Sequence, residues 1–268
     1  MVLWAADAER GLIRIDGNDR RQVGPAGRLC ASPGQVFCAG ERDCCCYDAG
    51  GRLLFRFPGP PGVGGMTAGD GMIYLLSSDA DSISAYASSD GSLLCAAPAG
   101  VYPQGLCVRP DGHRIAVAGG AAGEILLFDA QLRLLRSHRV PGMAVGVGFL
   151  PKGMAALCAV GDREISTLLL RISPWGVTEE LFSCPEAPCC LHAAADGCAV
   201  GCHGAVHFLR SDGRTRRTLP CAFPGVIRQC QGVPLICDFS TGRVLLPNGR
   251  TLYRGEAVED ALLSEYNP

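Results

Sequence analysis

Residues 105–130 read GLCVRPDGHRIAVAGGAAGEILLFDA, three short strand-like runs joined by two tight turns, and the rest of the chain repeats that plan. Leu106-Cys107-Val108 is apolar and Arg109-Pro110-Asp111-Gly112 is turn chemistry. Residues 114–118 then carry the β-branched and small side chains that suit a pleated surface. Asp111-Gly112 favours a hairpin, because glycine reaches positive φ without steric cost and aspartate bonds its own main chain. A second turn at residues 119–123 leads into Glu124-Ile125-Leu126-Leu127-Phe128, and Asp129 precedes a fourth run expected at residues 132–135. Four short antiparallel strands in about 40 residues make the unit of a propeller blade.

The first turn returns as Pro33-Gly34, Asp70-Gly71, Asp111-Gly112, Lys152-Gly153, Asp196-Gly197 and Gln231-Gly232, with glycines spaced by 37, 41, 41, 44 and 35 residues. The turn between third and fourth strands returns seven times: Asp16-Gly17, Gly50-Gly51, Asp90-Gly91, Asp129-Ala130, Pro174 to Gly176, Asp212-Gly213 and Asn248-Gly249. The chain ends reconcile six copies with seven. Residues 2–6 read as a second-type strand, and residues 257–268 read as a first-type strand that stops at its turn. The sequence therefore predicts an all-β, seven-bladed β-propeller of four-stranded antiparallel blades, a single domain over residues 1–268. Its ring is closed by the C-terminal strand pairing with the three N-terminal strands. Closure removes the long exposed edge of an open sheet, and a closed ring has no architectural need to oligomerise, so a monomer is expected.

A net charge of −2 argues against nucleic acid and anionic membrane as partners. The local basic runs, Asp19-Arg20-Arg21, Arg133/Arg136/Arg139 and Arg214 to Arg217, fall on or beside fourth strands and read as charge-defended edges. No run of about 20 apolar residues is present to span a bilayer. Asp7, Glu9 and Arg10 interrupt the N-terminus where a secretion signal would be apolar. The expectation is a cytoplasmic protein whose 16 cysteines are reduced and mostly buried as small hydrophobes. Cys30, Cys38, Cys107, Cys158, Cys198, Cys230 and Cys237 lie within expected strands. Cys44-Cys45-Cys46 lies in a third strand, where alternation puts at most two thiols on one face.

Metal-type side chains gather once, as Cys184, Cys189, Cys190, His192, Cys202 and His203. Cys184-x4-Cys189 is not a CxxC knuckle and Cys189 and Cys190 are adjacent, so the spacing predicts no metal, and nothing in the sequence calls for a cofactor. No GxSxG, HExxH, Walker or GxGxxG pattern stands in its required strand-to-helix context. His113 falls on a turn, His138 on a rim strand and His207 in a third strand. The loop leading into each first strand opens on one face of such a ring. Blade by blade, the positions at that mouth are Leu29, Met66, Gln104, Ala144, His192, Arg228 and Asp260, with Glu259, Tyr102 and Cys190 beside them. The polar members, Gln104, His192, Arg228 and Asp260, are the ligand-binding candidates. Arg228 and Asp260, from neighbouring blades, have a second reading as a purely structural ion pair.

Residues 103–118, PQGLCVRPDGHRIAVA, resemble the repeat of YVTN-type seven-bladed propellers, with weaker echoes in every other blade. That superfamily includes lactonases of the phosphogluconolactonase type and streptogramin lyases; the absence of WD dipeptides sets the WD-repeat family aside. The resemblance implies the ring architecture. It transfers no catalytic residue, because the lyases use histidines with a carboxylate and magnesium, and His192 alone is suitably placed. Two functions follow. The first is a binding or scaffolding propeller that holds a small molecule, peptide or protein at the channel mouth. The alternative is a lactonase-like or lyase-like enzyme acting on a cyclic ester there. The first is favoured because no acid–base constellation stands out, and function lives in sites rather than in folds.

Overall fold

Turn glycines and short apolar runs alternate along the whole chain, and among the described residues they form strands without a helix. The computed structural model describes residues 1–230 and 233–264, with Gln229 and Cys230 described by backbone only. Those residues form seven four-stranded antiparallel sheets. The expected Gln231-Gly232 turn and the burial of Cys230 lie outside the described residues. Among the described residues, no helix is long and apolar enough to cross a membrane.

Blade 1 contains both ends of the chain. Its strand order is Val258–Ser264, Val2–Asp7, Gly11–Asp16, Asp19–Gly24. The closing pair runs in register from Val2 opposite Ser264, through Ala5 opposite Ala261, to Asp7 opposite Val258. Every residue of Val2–Asp7 is buried. Trp4 packs with Leu12, Leu29, Tyr47, Val258 and Leu262, and its indole N–H donates to Ser264 Oγ at 2.9 Å. The remaining blades follow in chain order: residues 28–58, 63–98, 105–139, 143–184, 188–221 and 224–254 form blades 2 to 7.

The core is not one mass but a set of apolar clusters between neighbouring blades. Alternation along the strands decides which cluster each side chain joins. In Asp43–Asp48 of blade 2, Cys44 and Cys46 pack with Ile73, Leu75 and Tyr86 of blade 3. Cys45 between them packs with Trp4 and the closing strand of blade 1. All three thiols are buried as filler, each face receiving what the pleat allots it.

One register position carries a polar or thiol side chain in four of the seven blades. The last residue of the second strand faces the first residue of the first strand: Asp7 opposite Val258, Ser77 opposite Val63, Cys202 opposite Pro188 and Asp238 opposite Pro224. This position ties down the loop that enters the blade. Asp7 Oδ2 accepts from Tyr253 Oη at 2.9 Å and from the Glu256 N–H at 3.1 Å. Asp238 Oδ1 accepts from the Phe223 N–H at 3.2 Å, and the Ser77 hydroxyl donates to the Pro61 carbonyl.

Three sequence expectations shift by a residue or two. The fourth strand of blade 4 is Leu134–Arg139 rather than residues 132–135. Leu132 instead takes φ +57° in a turn whose Gln131 and Arg133 N–H groups both donate to Asp129 Oδ1. In blade 5 the turn is Pro151-Lys152, one residue earlier than expected, and Gly153 opens the second strand at φ +123°. A Cβ there would sit 2.1 Å from the Ile172 carbonyl oxygen, which is why glycine stands at that point. Blade 6 makes the same shift at Ala195-Asp196.

Two outcomes are expected. A chain ending at residue 257 loses the strand paired with Val2–Asp7, and thermal unfolding followed by circular dichroism should lose its cooperative transition; a truncation that melts like the full chain contradicts closure as the organising contact. The second concerns pH. Burial pushes the Asp7 and Asp238 carboxyls up, but hydrogen bonds, chiefly from Tyr253 to Asp7 and from Thr241 and the Phe223 N–H to Asp238, hold both below the ordinary carboxylate range. A depressed folded-state pKa contributes stability above the unfolded value and loses it as pH falls through the folded one. The melting temperature should therefore drop below about pH 4, and Asp7→Asn should shrink that drop.

Candidate binding channel

The first strands of the blades surround a central channel of about 1310 Å³. Its wall combines glycine-rich stretches of first strand with longer side chains such as Met66, Phe149 and Ile227. A Cβ on Gly105 would lie 2.8 Å from the Gly146 Cα, and one on Gly146 would lie 2.9 Å from the Leu191 Cβ, so these two glycines let the first strands of blades 4, 5 and 6 approach one another. Polar side chains enter this wall from several blades, Arg28, Thr67, Ser78 and Arg109 among them. Gln104, His192, Arg228 and Asp260 all line it, brought from blades 4, 6, 7 and 1.

Not every mouth position behaves as its place in the repeat suggests. Met66 reaches the channel, but Leu29 and Ala144 are fully buried between blades, Leu29 with Trp4 of blade 1 and Ala144 with Ala116 and Ile125 of blade 4. Adjacent residues on a strand point to opposite sides, so a one-residue difference in register hides one side chain and presents the next. Arg28, beside Leu29, lines the channel instead and donates from Nη1 to the Glu259 carbonyl at 3.0 Å. Its only sequence signal is that single-residue offset.

Asp260 is completely buried and accepts four hydrogen bonds. Arg228 contributes two, from Nη2 at 2.7 Å and Nε at 3.2 Å. The Leu29 and Ala261 N–H groups add the others, at 2.9 and 2.8 Å. One carboxylate on the closing strand thus binds blades 7, 1 and 2 together. Arg228 keeps 24 % of its side chain exposed toward the channel, so the pair presents a fixed guanidinium rather than a free acid. A guanidinium held in this way can donate to a carbonyl or carboxylate group.

At the same mouth Tyr102 stands 56 % exposed with φ +52°, and its N–H donates to Asp81 Oδ1 at 2.6 Å. Gln104 Nε2 donates to the Tyr102 carbonyl at 3.2 Å. His192 is half-buried on Pro188–Ala194, opposite Ala199 in the register. Its neighbour Cys190 donates to the Pro224 carbonyl at 3.0 Å. Burial pushes the Cys190 thiol well up, and the Cys189 thiol to about 11, so neither is a thiolate nucleophile near neutral pH.

The fold keeps Cys184 and Cys202 of the metal-type gathering together, draws Cys190 and His203 to other partners, and brings in His207. Cys190 turns toward blade 7, and the His203 ring packs 5.0 Å from Phe223. Cys184 and Cys202, 18 residues apart, bring their sulfurs to 3.7 Å. His207 joins them from the third strand of blade 6, and the ligand atoms of the three lie within 4.8 Å of one another. Sequence spacing hides this set because its members come from three different strands.

No protein-family model matches the chain, and no curated protein sequence matches it. Solved structures do. Hydrazine synthase of Kuenenia stuttgartiensis superposes with a TM-score of 0.71 at 15% identity, over 82% of this chain and 75% of that one. A functionally unknown protein from Desulfotomaculum acetoxidans gives 0.72 at 11% identity, over 96% and 98%. BBS1N, solved in complex with ARL6DN, gives 0.68 at 16% identity, over 88% and 83%. The chain shares their fold. Similarity at this level speaks for architecture, a seven-bladed propeller, and for nothing finer.

Arg228→Ala should cost about 2–4 kcal/mol of stability, because it leaves the buried Asp260 carboxylate with only two backbone donors. Denaturant unfolding of Arg228→Ala, Asp260→Asn and the double variant measures this. The double variant should be more stable than Arg228→Ala alone. Simple additivity of the two losses would remove the pair from the account of how blades 7, 1 and 2 are joined.

Proposed function

We propose that the protein is a binding or scaffolding propeller that holds a partner at the mouth of its central channel. The observation that carries this reading is the convergence of Gln104, His192 and Arg228, from three blades, on one channel wall. Its volume exceeds the roughly 300–1,000 Å³ of a small-molecule pocket, which favours a peptide or a protruding protein segment over a compact ligand. Exposed Tyr102 supplies an apolar face, Gln104 an amide, and Arg228 a donor for carbonyl or carboxylate groups. Left-handed backbone at a tyrosine costs about 1–2 kcal/mol, and strain of that kind is retained where a site is held ready for use. The matched BBS1N propeller, solved with ARL6DN, supports a protein partner by fold analogy. Kinship with the YVTN-type superfamily, a monomeric state and a cytoplasmic setting belong to the same proposal. The 15 described cysteines, all unpaired, fit a reducing compartment.

Thermal-shift screening against peptide and aldonolactone collections tests this reading. Peptides should raise the melting temperature, and the rise should vanish in the Gln104→Ala/His192→Ala double variant while the unliganded melt stays unchanged. Stabilisation that persists in the double variant moves the site elsewhere. Lactone turnover that the double variant abolishes replaces the binding reading with the enzymatic one.

A further inference from the structure

Outside the channel, one cluster stands apart. Among the described residues, two buried side-chain atoms lack any hydrogen-bond partner, Glu186 Oε2 and His207 Nε2. Native interiors leave few such atoms, and both of these belong to the group around Cys184 and Cys202. His207 Nδ1 lies 3.3 Å from Thr218 Oγ1 and its ring packs 5.1 Å from Phe182, so the imidazole is oriented through one nitrogen while the other is left buried and bare. That is how a metal-binding histidine is prepared by its outer partners.

We propose that Cys184, Cys202 and His207 bind one zinc-class divalent cation between blades 5 and 6, and that the Glu186 carboxylate, which stands outside their 4.8 Å group in the unliganded site, swings in as the fourth ligand when the ion enters. Two thiolates and an imidazole make a donor set suited to zinc, and Glu186 supplies the remaining oxygen. Two sulfurs each about 2.3 Å from a tetrahedral zinc stand about 3.8 Å apart. The observed separation is 3.7 Å, which matches that spacing and far exceeds a disulfide bond. Binding forms two Zn–S bonds, one Zn–N bond and one Zn–O bond to the Glu186 carboxylate, releases the two thiol protons to solvent, and uses the neutral imidazole through Nε2.

The surroundings are built to hold such an ion. Thr167 Oγ1 donates to the Glu186 carbonyl at 2.6 Å and lies 3.4 Å from the Cys202 sulfur, while the His203 N–H donates to the Ala187 carbonyl at 2.9 Å. The loop at residues 185–187 is therefore fixed on both blades. Cys202 occupies the same register position as Asp7, Ser77 and Asp238, which in their own blades bond the incoming loop through oxygen. In blade 6 a cation held by Cys202 takes over that task. It anchors the loop that runs directly into Pro188–Ala194, the strand that carries His192.

The test uses full-length protein without a histidine tag, produced in zinc-supplemented medium, purified with a phosphine reductant and dialysed. Elemental analysis should find one zinc per chain. Cobalt(II) added to chelator-stripped protein should produce thiolate-to-cobalt charge-transfer absorption. Cys184→Ser and His207→Gln should each cut zinc below about a tenth of an equivalent and abolish the cobalt band, whereas Cys189→Ser retains both. Circular dichroism establishes that each variant is folded. The proposal is overturned if the wild-type chain holds less than about a tenth of an equivalent and gives no cobalt band. It is equally overturned if Cys184 and Cys202 are recovered as a disulfide, or if folded His207→Gln keeps its zinc. Metal content is read without any channel ligand, so this result and that of the peptide screen fall independently.

Discussion

Everything in this molecule depends on the hydrogen-bonded seam between Val2–Asp7 and Val258–Ser264. Each blade buries its faces only against its neighbours, so a ring opened anywhere exposes two apolar sheet faces and two strand edges. The seam prevents that by joining residues about 260 positions apart, and its polar groups do more than close it. Asp7 fixes the loop ahead of the closing strand, and Asp260 on that strand reaches both flanking blades. The same carboxylate that completes the ring also orients Arg228 at the channel, so architecture and site share one group.

Much of this was legible in the chain because blade turns need particular residues. Turn residues at the third-to-fourth turns, four of them Asp-Gly or Asn-Gly, mark seven blades, and the mismatch with six first turns points to closure across the termini. Where the reading slips, a local conformation is responsible. Leu132 adopts positive φ and delays its strand, and Gly153 is used against a carbonyl of the next strand rather than inside the turn. At the channel the repeat gives the right neighbourhood but not the side-chain direction. A one-residue step separates buried Leu29 from channel-lining Arg28, and periodicity within a strand does not say where the step falls.

The cysteines show the same division. The alternate packing of Cys44, Cys45 and Cys46 follows from the pleat alone. The meeting of Cys184, Cys202 and His207 does not, because it is set by how blade 5 lies on blade 6. Linear spacing rules were shaped by motifs whose ligands come from one or two consecutive elements, and a ring of blades brings ligands together across a boundary that such rules do not cross. Comparing equivalent positions between blades is the more sensitive reading here, since Cys202 stands where blades 1, 3 and 7 place an oxygen that bonds the incoming loop.

The two tryptophans divide in a way that gives the ring a built-in optical gauge. Trp4 is wholly buried in the seam and donates to Ser264, while Trp175, in the outer turn of blade 5, is 87 % exposed. An indole in an apolar, hydrogen-bonded interior emits to the blue of one in water. The native emission is thus the sum of a blue contribution that belongs to the seam and a red one that belongs to the rim. Only the blue one responds when the ring opens, so the closing strand can be watched by its own fluorescence while the rim tryptophan serves as an internal standard.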